Sequence, residues 1–122
     1  MLPEAVTEIP GPESLRLAKE LRRHESRNVT FLNEDWPVFW ERAEGANVWD
    51  VDGNRFLDLT GAFAVAGLGH GRRELVEAMS GQAGTLLHGM GDVHPTRLKV
   101  ELCARLSELT FERWGKGEGK SV

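Results

Sequence analysis

A histidine flanked by glycines stands in the segment Gly67-Leu68-Gly69-His70-Gly71, between an apolar run and a predicted helix. Such a turn can present backbone amides and the positive end of a helix to an anion. The spacing is not that of a dinucleotide-binding fingerprint, because Arg72 occupies the place of the third glycine. We therefore predict a tight turn in which His70 hydrogen-bonds nearby backbone, and we keep anion binding as an alternative.

Other residues with reactive or ligating side chains form no strong motif. His88, Asp92 and His94 are of types that bind zinc or iron, but their spacing matches no known site and their glycine-rich surroundings predict a loop. We predict no metal site. Cys103 lies beside a leucine stripe, where a buried and inert thiol is expected. None of the four lysines falls in a segment that predicts a desolvated pocket, so no cofactor-linking lysine is expected in this chain.

Three short strands are predicted upstream of the glycine turn, at residues 37–42, 46–51 and 55–59. These segments are rich in valine, tryptophan and phenylalanine, and glycine-containing turns bound them. The last two strands flank Asp52-Gly53-Asn54, and an Asp-Gly pair favours the backbone of a tight reversal. We predict that they form a hairpin.

Helices are predicted on both sides of this strand region, at residues 13–25, 74–87 and 96–110. Each carries apolar residues at helical spacing, and the last has Leu98, Leu102, Leu106 and Leu109 along one face. Residues 1–12 contain three prolines and predict a mobile leader or an extended arm, followed by a helix and a linker over residues 13–36. The glycine-rich tail at 114–120 predicts a flexible loop, and residues 120–122 the start of a strand.

Composition limits the class of protein. The 122 residues carry 19 acidic and 15 basic side chains, for a formal net charge of -4, without a long block of either sign. This balance argues against a nucleic-acid-binding face. A single cysteine excludes an internal disulfide, and no apolar run is long enough to cross a bilayer. The sequence predicts a soluble, cytoplasmic protein that binds neither nucleic acid nor membrane.

The order of residues 37–70 resembles the amino-terminal segment of class III pyridoxal-phosphate aminotransferases. Counterparts exist for Glu44-Gly45, Trp49-Asp50-Val51-Asp52-Gly53-Asn54, Leu57-Asp58 and Leu68-Gly69-His70. The resemblance implies an α+β fold, the amino-terminal portion of a fold type I pyridoxal-phosphate transferase, with short antiparallel strands and amphipathic helices. It also implies four segments: a leader at 1–12, a helix and linker at 13–36, a small-domain region at 37–95, and a helix and tail at 96–122 that lead toward a large domain.

The same resemblance implies a function. Intact relatives are homodimers that use pyridoxal phosphate to move an amino group from a donor to an oxo-acid or aldehyde. Their substrate-side contacts correspond to Gly61, Ala62 and Phe63, with Trp36 as a weaker candidate. Relatives place the cofactor lysine and phosphate loop beyond the position of Val122, so we expect a fragment that has no catalytic or cofactor-binding residue and is inactive alone. Whether this chain is itself an enzyme is left open.

Two alternatives belong to other classes. The chain could be a non-catalytic interaction module that binds a longer aminotransferase or a complementing chain. It could also be a small anion-binding protein that uses the turn at residues 67–71. The chain also departs from the family pattern at Gly71, where relatives often carry a proline. This difference casts doubt on whether the turn packs as it does in relatives.

Overall fold

The computed structural model describes residues 1–27, 29–30 and 36–120. They form two compact units, which we call the hairpin unit (Met1–Val76) and the helical unit (Glu77–Val122). The fold class is α+β, as predicted. In chain order the elements are α1 (Pro12–His24), β1 (Trp40–Glu44), β2 (Asn47–Asp50), β3 (Arg55–Leu57), α2 (Arg73–Thr85), α3 (Arg97–Ser107) and a π-helical turn (Glu108–Glu112).

The three strands form one antiparallel sheet in the order β1-β2-β3, and the predicted hairpin between the second and third strands is confirmed. The first strand begins at Trp40 and not at residue 37, and the register shifts between Trp40 and Arg42. All four residues of β2 are buried. Because side chains alternate across a strand, this burial means that both faces of β2 are covered.

Opposite faces of the sheet carry different chemistry. Val48 lies opposite Ala43 and Phe56 on its neighbouring strands, so these three residues share a face. Trp49 lies opposite Arg42 on the other face, and the Arg42 guanidinium carbon sits 3.6 Å from the centroid of the Trp49 ring. This cation–π contact turns the Arg42 charge away from the face that Phe56 occupies.

Helix α1 begins where its sequence supplies the right termini. Pro12 occupies the first turn, and basic residues occupy the last turn, where they complement the helix dipole. The residue before the helix, Gly11, has no side chain to cap it, and the turn between β2 and β3 supplies the cap instead. Asp52 accepts hydrogen bonds from the amides of Glu13 at 2.7 Å and Ser14 at 2.9 Å. A Cβ at Gly11 would overlap the Asp52 carboxyl group, so glycine permits this approach.

Asn54 is the polar centre of the hairpin unit, with no solvent-exposed surface. Its carboxamide oxygen accepts from the amides of Val6 at 2.8 Å and Thr7 at 2.9 Å, and its nitrogen donates to Asp50 Oδ2 at 2.9 Å. The carboxylate of Asp50 also accepts from the Asn54 amide at 2.8 Å. These bonds join residues 6–7 to the hairpin turn across almost fifty positions of sequence.

The first residues also pair with the outer edge of β3. Glu4 and Arg55 exchange two backbone hydrogen bonds of 2.9 and 2.7 Å, and their side chains form an ion pair of 2.8 Å. The Arg55 guanidinium donates to the carbonyl of Leu2 as well. Of the two descriptions of residues 1–12, these contacts favour the extended arm, while the boundaries of the four predicted segments stay a prediction.

Both helices after the glycine turn occur near their predicted positions. Helix α2 spans 73–85 where 74–87 was predicted, and α3 spans 97–107 where 96–110 was predicted, because its final turn widens into the π-helical turn. Thr96 caps α3 through a 3.3 Å bond from the Lys99 amide to its hydroxyl. The predicted leucine stripe of α3 does not form a core in this unit, since Leu98, Leu102, Leu106 and Leu109 are all exposed.

The predictions for Cys103, the tail and the linker have different outcomes. Cys103 is half-buried, not buried as expected, because the stripe beside it is uncovered. The tail is held at Gly119, whose amide donates to Ser107 Oγ at 2.8 Å. Most of the linker predicted before Trp36, and most of the strand predicted at 120–122, lie outside the described residues. No helix in the described ranges is long and apolar enough to cross a membrane.

Candidate functional site

A carboxylate organises the turn that follows β3. Asp58 accepts hydrogen bonds from the Thr60 amide at 3.1 Å, the Thr60 hydroxyl at 2.9 Å and the Ala62 amide at 2.9 Å. His70 Nε2 lies 2.9 Å from Asp58 Oδ2. The His70 contact first, and then the Thr60 and Ala62 bonds, lower the pKa of Asp58 from its usual range to about 2. Asp58 is therefore ionised at neutral pH.

The backbone of this turn is unusual. Gly61, Ala62, Phe63 and Ala64 have φ values of 58°, 50°, 56° and 67°, which place four consecutive residues in the left-handed region. Alanine and phenylalanine adopt that region at a cost, and such conformations persist only where surrounding contacts impose them. The hydrogen bonds that Asp58 accepts from Thr60 and Ala62 supply that constraint. The turn presents the Phe63 side chain with 94% of its surface exposed.

The glycine turn at 67–71 closes onto the first hairpin. His70 and Gly45 exchange two backbone hydrogen bonds of 2.8 and 2.9 Å, and Gly69 approaches Gly45 closely, at a φ of 88°. The tight turn predicted here is present. The partner predicted for His70 needs correction, because its ring contacts the Asp58 carboxylate and only its main chain bonds backbone. Since the amides of Gly69 and His70 already donate to carbonyl oxygens, the turn does not present them to an anion.

An open cavity of about 740 Å³ lies between the sheet and this turn. Its aromatic walls include Trp40 and Phe56, whose ring centroids are 5.1 Å apart with planes inclined by 72°. Backbone or side-chain atoms of thirteen residues line it: Trp40, Glu41, Arg42, Ala43, Val48, Phe56, Leu57, Asp58, Leu59, Thr60, Ala62, Phe63 and His70. The cavity is lined mainly by apolar residues. Its polar and charged lining residues are Glu41 and Arg42 on one side and Asp58, Thr60 and His70 at the turn.

The predicted site residues fall in or beside this cavity. Ala62 and Phe63 line it, and Gly61 lines a smaller neighbouring pocket of about 340 Å³. Trp36 does not line either pocket, but its ring stands 6.4 Å from that of Phe56. Their role as substrate contacts stays a prediction.

Sequence reasoning missed the pairing of Asp58 with His70 and the contributions of Trp40 and Phe56. The only signal for the first was an aspartate placed directly after a strand and twelve residues before the histidine of the glycine turn.

The residues of this cavity do not by themselves fit pyridoxal phosphate. That cofactor needs a lysine to carry it and a set of donors for its phosphate, and neither pocket is lined by a lysine. Within the described residues, no group of three or more histidine, cysteine or acidic side chains is arranged to hold a metal ion. What the arrangement can do is present an apolar surface, Phe63 included, beside an ionised carboxylate.

Comparison with known proteins places this geometry in a family. The family Aminotransferase class-III matches residues 31–116. The 4-aminobutyrate aminotransferase of Mycobacterium leprae is 38% identical over 119 residues, which cover 98% of this chain and 25% of that protein. The glutamate-1-semialdehyde 2,1-aminomutase of Chloroflexus aurantiacus is 42% identical over 73 residues, which cover 60% of this chain and 16% of that protein.

Solved structures agree. The (S)-enantioselective omega-transaminase of Thermomicrobium roseum matches with a TM-score of 0.59 and 32% identity, over 79% of this chain and 22% of that one. The acetylornithine aminotransferase of Elizabethkingia anophelis matches with a TM-score of 0.51 and 33% identity, over 60% of this chain and 17% of that one. The chain spans about a quarter or less of these proteins, in their amino-terminal part. It belongs to the class III aminotransferases, a pyridoxal-phosphate-dependent family, and has the fold of the amino-terminal portion of a fold type I transferase.

Proposed function

We propose that this chain is the amino-terminal segment of an aminotransferase that moves an amino group from an amino donor to an oxo-acid or aldehyde. The observation that carries the proposal is the match to the Mycobacterium leprae protein, which is named a 4-aminobutyrate aminotransferase. The match covers 98% of the present chain. Pyridoxal phosphate, when bound in such enzymes, supplies the electron sink for the transfer. Alone, the chain is proposed to be inactive.

The part that this chain plays is to shape the substrate side of the site. Asp58 and His70 hold the turn at 60–64 in its left-handed conformation, and the turn presents Phe63 beside the apolar cavity. Apolar surface at this position selects among donors by the fit of their side chains, and one methylene is worth roughly 1 to 3 kcal/mol in such a pocket. Gly61, Ala62 and Phe63 are the proposed contacts. Trp36, whose ring centroid lies 6.4 Å from that of Phe56, is the weaker candidate.

The interaction-module alternative also has an observation in its favour. The exposed leucines of α3 form an apolar stripe, of the kind that normally packs against another surface. The occupant that we propose is the remaining three quarters of an aminotransferase, present in the same protein or as a complementing chain, in a homo-oligomer. The anion-binding alternative gains no such support, because the amides of Gly69 and His70 already donate hydrogen bonds to backbone carbonyl oxygens.

A chimera tests the proposed function. In it, these 122 residues replace the matching segment of the Mycobacterium leprae enzyme, and amino transfer to 2-oxoglutarate and to aliphatic aldehydes is measured with several donors. We expect transfer by the chimera and none by the 122-residue chain alone. A matched chimera in which residues 58–64 are replaced by a glycine-serine linker should bind cofactor but transfer poorly.

Two results would contradict the proposal. A chimera that is folded, dimeric and loaded with cofactor, yet transfers no amino group, would show that this segment does not serve the site. Turnover of an amino donor by the 122-residue chain alone would show that the activity does not depend on the other three quarters of an aminotransferase.

A further inference from the structure

The aromatic walls of the cavity meet at a corner. The Trp40 and Phe56 planes are inclined by 72°, and those of Trp36 and Phe56 by 75°, so Phe56 stands nearly perpendicular to both indoles. Trp40 keeps 58% of its surface exposed, although it has an aromatic neighbour. Perpendicular rings that leave a face open are the arrangement that attracts an organic cation, because the face of each ring carries partial negative charge.

The charges around the cavity favour a cation. Asp58 is ionised but already has its three hydrogen-bond donors and His70. Arg42 also lines the cavity, but its guanidinium carbon lies 3.6 Å from the centroid of the Trp49 ring, and the strand register puts that ring on the face opposite Val48 and Phe56. The Arg42 charge is therefore directed away from the corner that Trp40 and Phe56 form.

Glu41 is the second carboxylate that lines the cavity. It lines the cavity next to Trp40 and stands at the shift in register between β1 and β2. Extra residues at such irregularities redirect side chains and are common beside functional sites. Within the described parts of the chain, the Glu41 side chain makes no hydrogen bond or ion pair. A carboxylate without a partner beside open aromatic rings completes the chemistry of an ammonium site.

We propose that the aromatic corner, Trp40 and Phe56 together with Glu41, binds an alkylammonium group. This inference rests on the proposed function in one respect: it assigns the corner to a cationic group on the amine substrate that is not itself transferred. The site predicts a preference for substrates with a second, distal positive charge over substrates that end in a methyl or carboxylate group. The physical basis is cation–π attraction supported by one uncommitted carboxylate.

Choline and its neutral isostere 3,3-dimethylbutan-1-ol provide a matched pair of probes, since they differ mainly in charge. We would titrate each into the 122-residue chain and into the chimera, and follow the NMR signals of the Trp40 and Phe56 rings. Choline is expected to bind about threefold to tenfold more tightly than the alcohol, the range that an exposed to partly desolvated cation–π contact provides. The anion 3,3-dimethylbutanoate is expected to bind most weakly.

Variants assign the preference to individual residues. Trp40→Leu keeps apolar bulk but removes the ring and should equalise the two probes, whereas Trp40→Phe should retain the preference. Glu41→Gln should reduce it about twofold to threefold. The matched controls are Trp114→Leu and Glu101→Gln, exposed residues of the helical unit that should change nothing. Unchanged Trp49 signals verify that each variant is folded.

The inference is overturned if the alcohol or the anion binds as tightly as choline, if neither probe shifts the ring signals in the chain or the chimera, or if Trp40→Leu keeps the preference. These outcomes are independent of amino transfer. A chimera that transfers amino groups without preferring choline contradicts only this inference, and one that prefers choline without transferring contradicts only the proposed function.

Discussion

The hairpin unit buries polar side chains that bond one another, whereas the helical unit leaves its leucines exposed. In the first, Asn54 and Asp50 are buried and connect the arm, the turn and the sheet. In the second, Leu102 is 59% exposed although it lies in the middle of the apolar stripe of α3. The comparison teaches that bonds within the hairpin unit account for its structure, whereas the helical unit leaves an apolar surface of the kind that normally packs against another surface.

The largest expected effect comes from breaking the polar centre of the hairpin unit. Asn54→Ala removes the acceptor of the Val6 and Thr7 amides and the side-chain donor to the buried Asp50 carboxylate. It should lower the free energy of unfolding by about 3 kcal/mol, because each buried polar group left without a partner costs roughly 1 to 3 kcal/mol. Urea denaturation followed by tryptophan fluorescence measures it. Gln82→Ala, which removes a local bond within the helical unit, should cost less than about 0.5 kcal/mol. Equal effects of the two substitutions would erase the contrast between the units.

The next effect concerns the cap that the hairpin turn gives to α1. Asp52→Ala should cost about 1 to 2 kcal/mol, as for other lost helix caps. Partial burial raises the pKa of Asp52, but its hydrogen bonds with Ser14 and Glu13 prevail and lower it overall. A lowered pKa in the folded state means that this stability is present above the unfolded pKa of about 3.9 and is lost as pH falls through the folded value.

The matched measurement is the difference in stability between the native chain and Asp52→Asn as a function of pH. It should be constant from pH 7 to about 5 and shrink below about pH 4. A difference that instead grows on acidification would show that the carboxylate does not act as an ionised cap.

Phe63 separates a role in binding from a role in packing. Since its side chain is almost wholly exposed, Phe63→Ala should change the stability of the isolated chain by less than about 0.5 kcal/mol. In the chimera, the same change should alter relative specificity among amino donors about tenfold and leave cofactor retention unchanged. Loss of about 3 kcal/mol or more of stability, with specificity intact, would identify a core aromatic instead.

A smaller and more local effect is expected at His70. Because its ring is the first cause of the lowered pKa of Asp58, His70→Ala should raise that pKa above about 2, toward the ordinary value. A carboxyl carbon NMR titration measures it, together with hydrogen exchange at the Ala62 amide, which should become faster. An unchanged Asp58 titration would mean that Thr60 and Ala62 hold the turn without the imidazole.

The smallest effect on stability is expected in the leucine stripe. Leu102→Ser removes little buried surface and should change the free energy of unfolding by less than about 0.5 kcal/mol. The exposed stripe predicts that the isolated chain self-associates. Leu102→Ser should reduce this association, measured by sedimentation, because it interrupts the stripe. Leu15→Ser on α1, an exposed leucine outside the stripe, is the control and should leave self-association unchanged.

Local signals predicted most of the elements. The hairpin followed from Asp52-Gly53, where Gly53 has a φ of 88°, and the start of α3 followed from Thr96 next to a proline. The class III resemblance predicted the family and fold type that the comparisons bear out. These features depend on residues that are close in sequence, and the types and spacing of neighbouring residues are therefore enough to predict them.

The remaining features depend on contacts between distant residues. Asn54 reads locally as a turn residue, and nothing near it in sequence indicates that its side chain bonds residues 6 and 7. The left-handed backbone at Ala62 and Phe63 contradicts the local preference of both residues, and it is imposed by Asp58. Similarly, helical spacing identified the leucine face of α3 but not whether this chain would cover it.

The pairing of Glu4 with Arg55 has a practical consequence for handling the protein. An uncovered sheet edge recruits strands from other molecules and promotes aggregation, and the arm occupies the outer edge of β3 at this point. Shortening the chain by its first seven residues, or joining a rigid partner directly to Met1, would leave that edge available. Affinity tags are therefore best attached through a flexible spacer, and precipitation of shortened versions should be attributed to this edge before it is taken as evidence of misfolding.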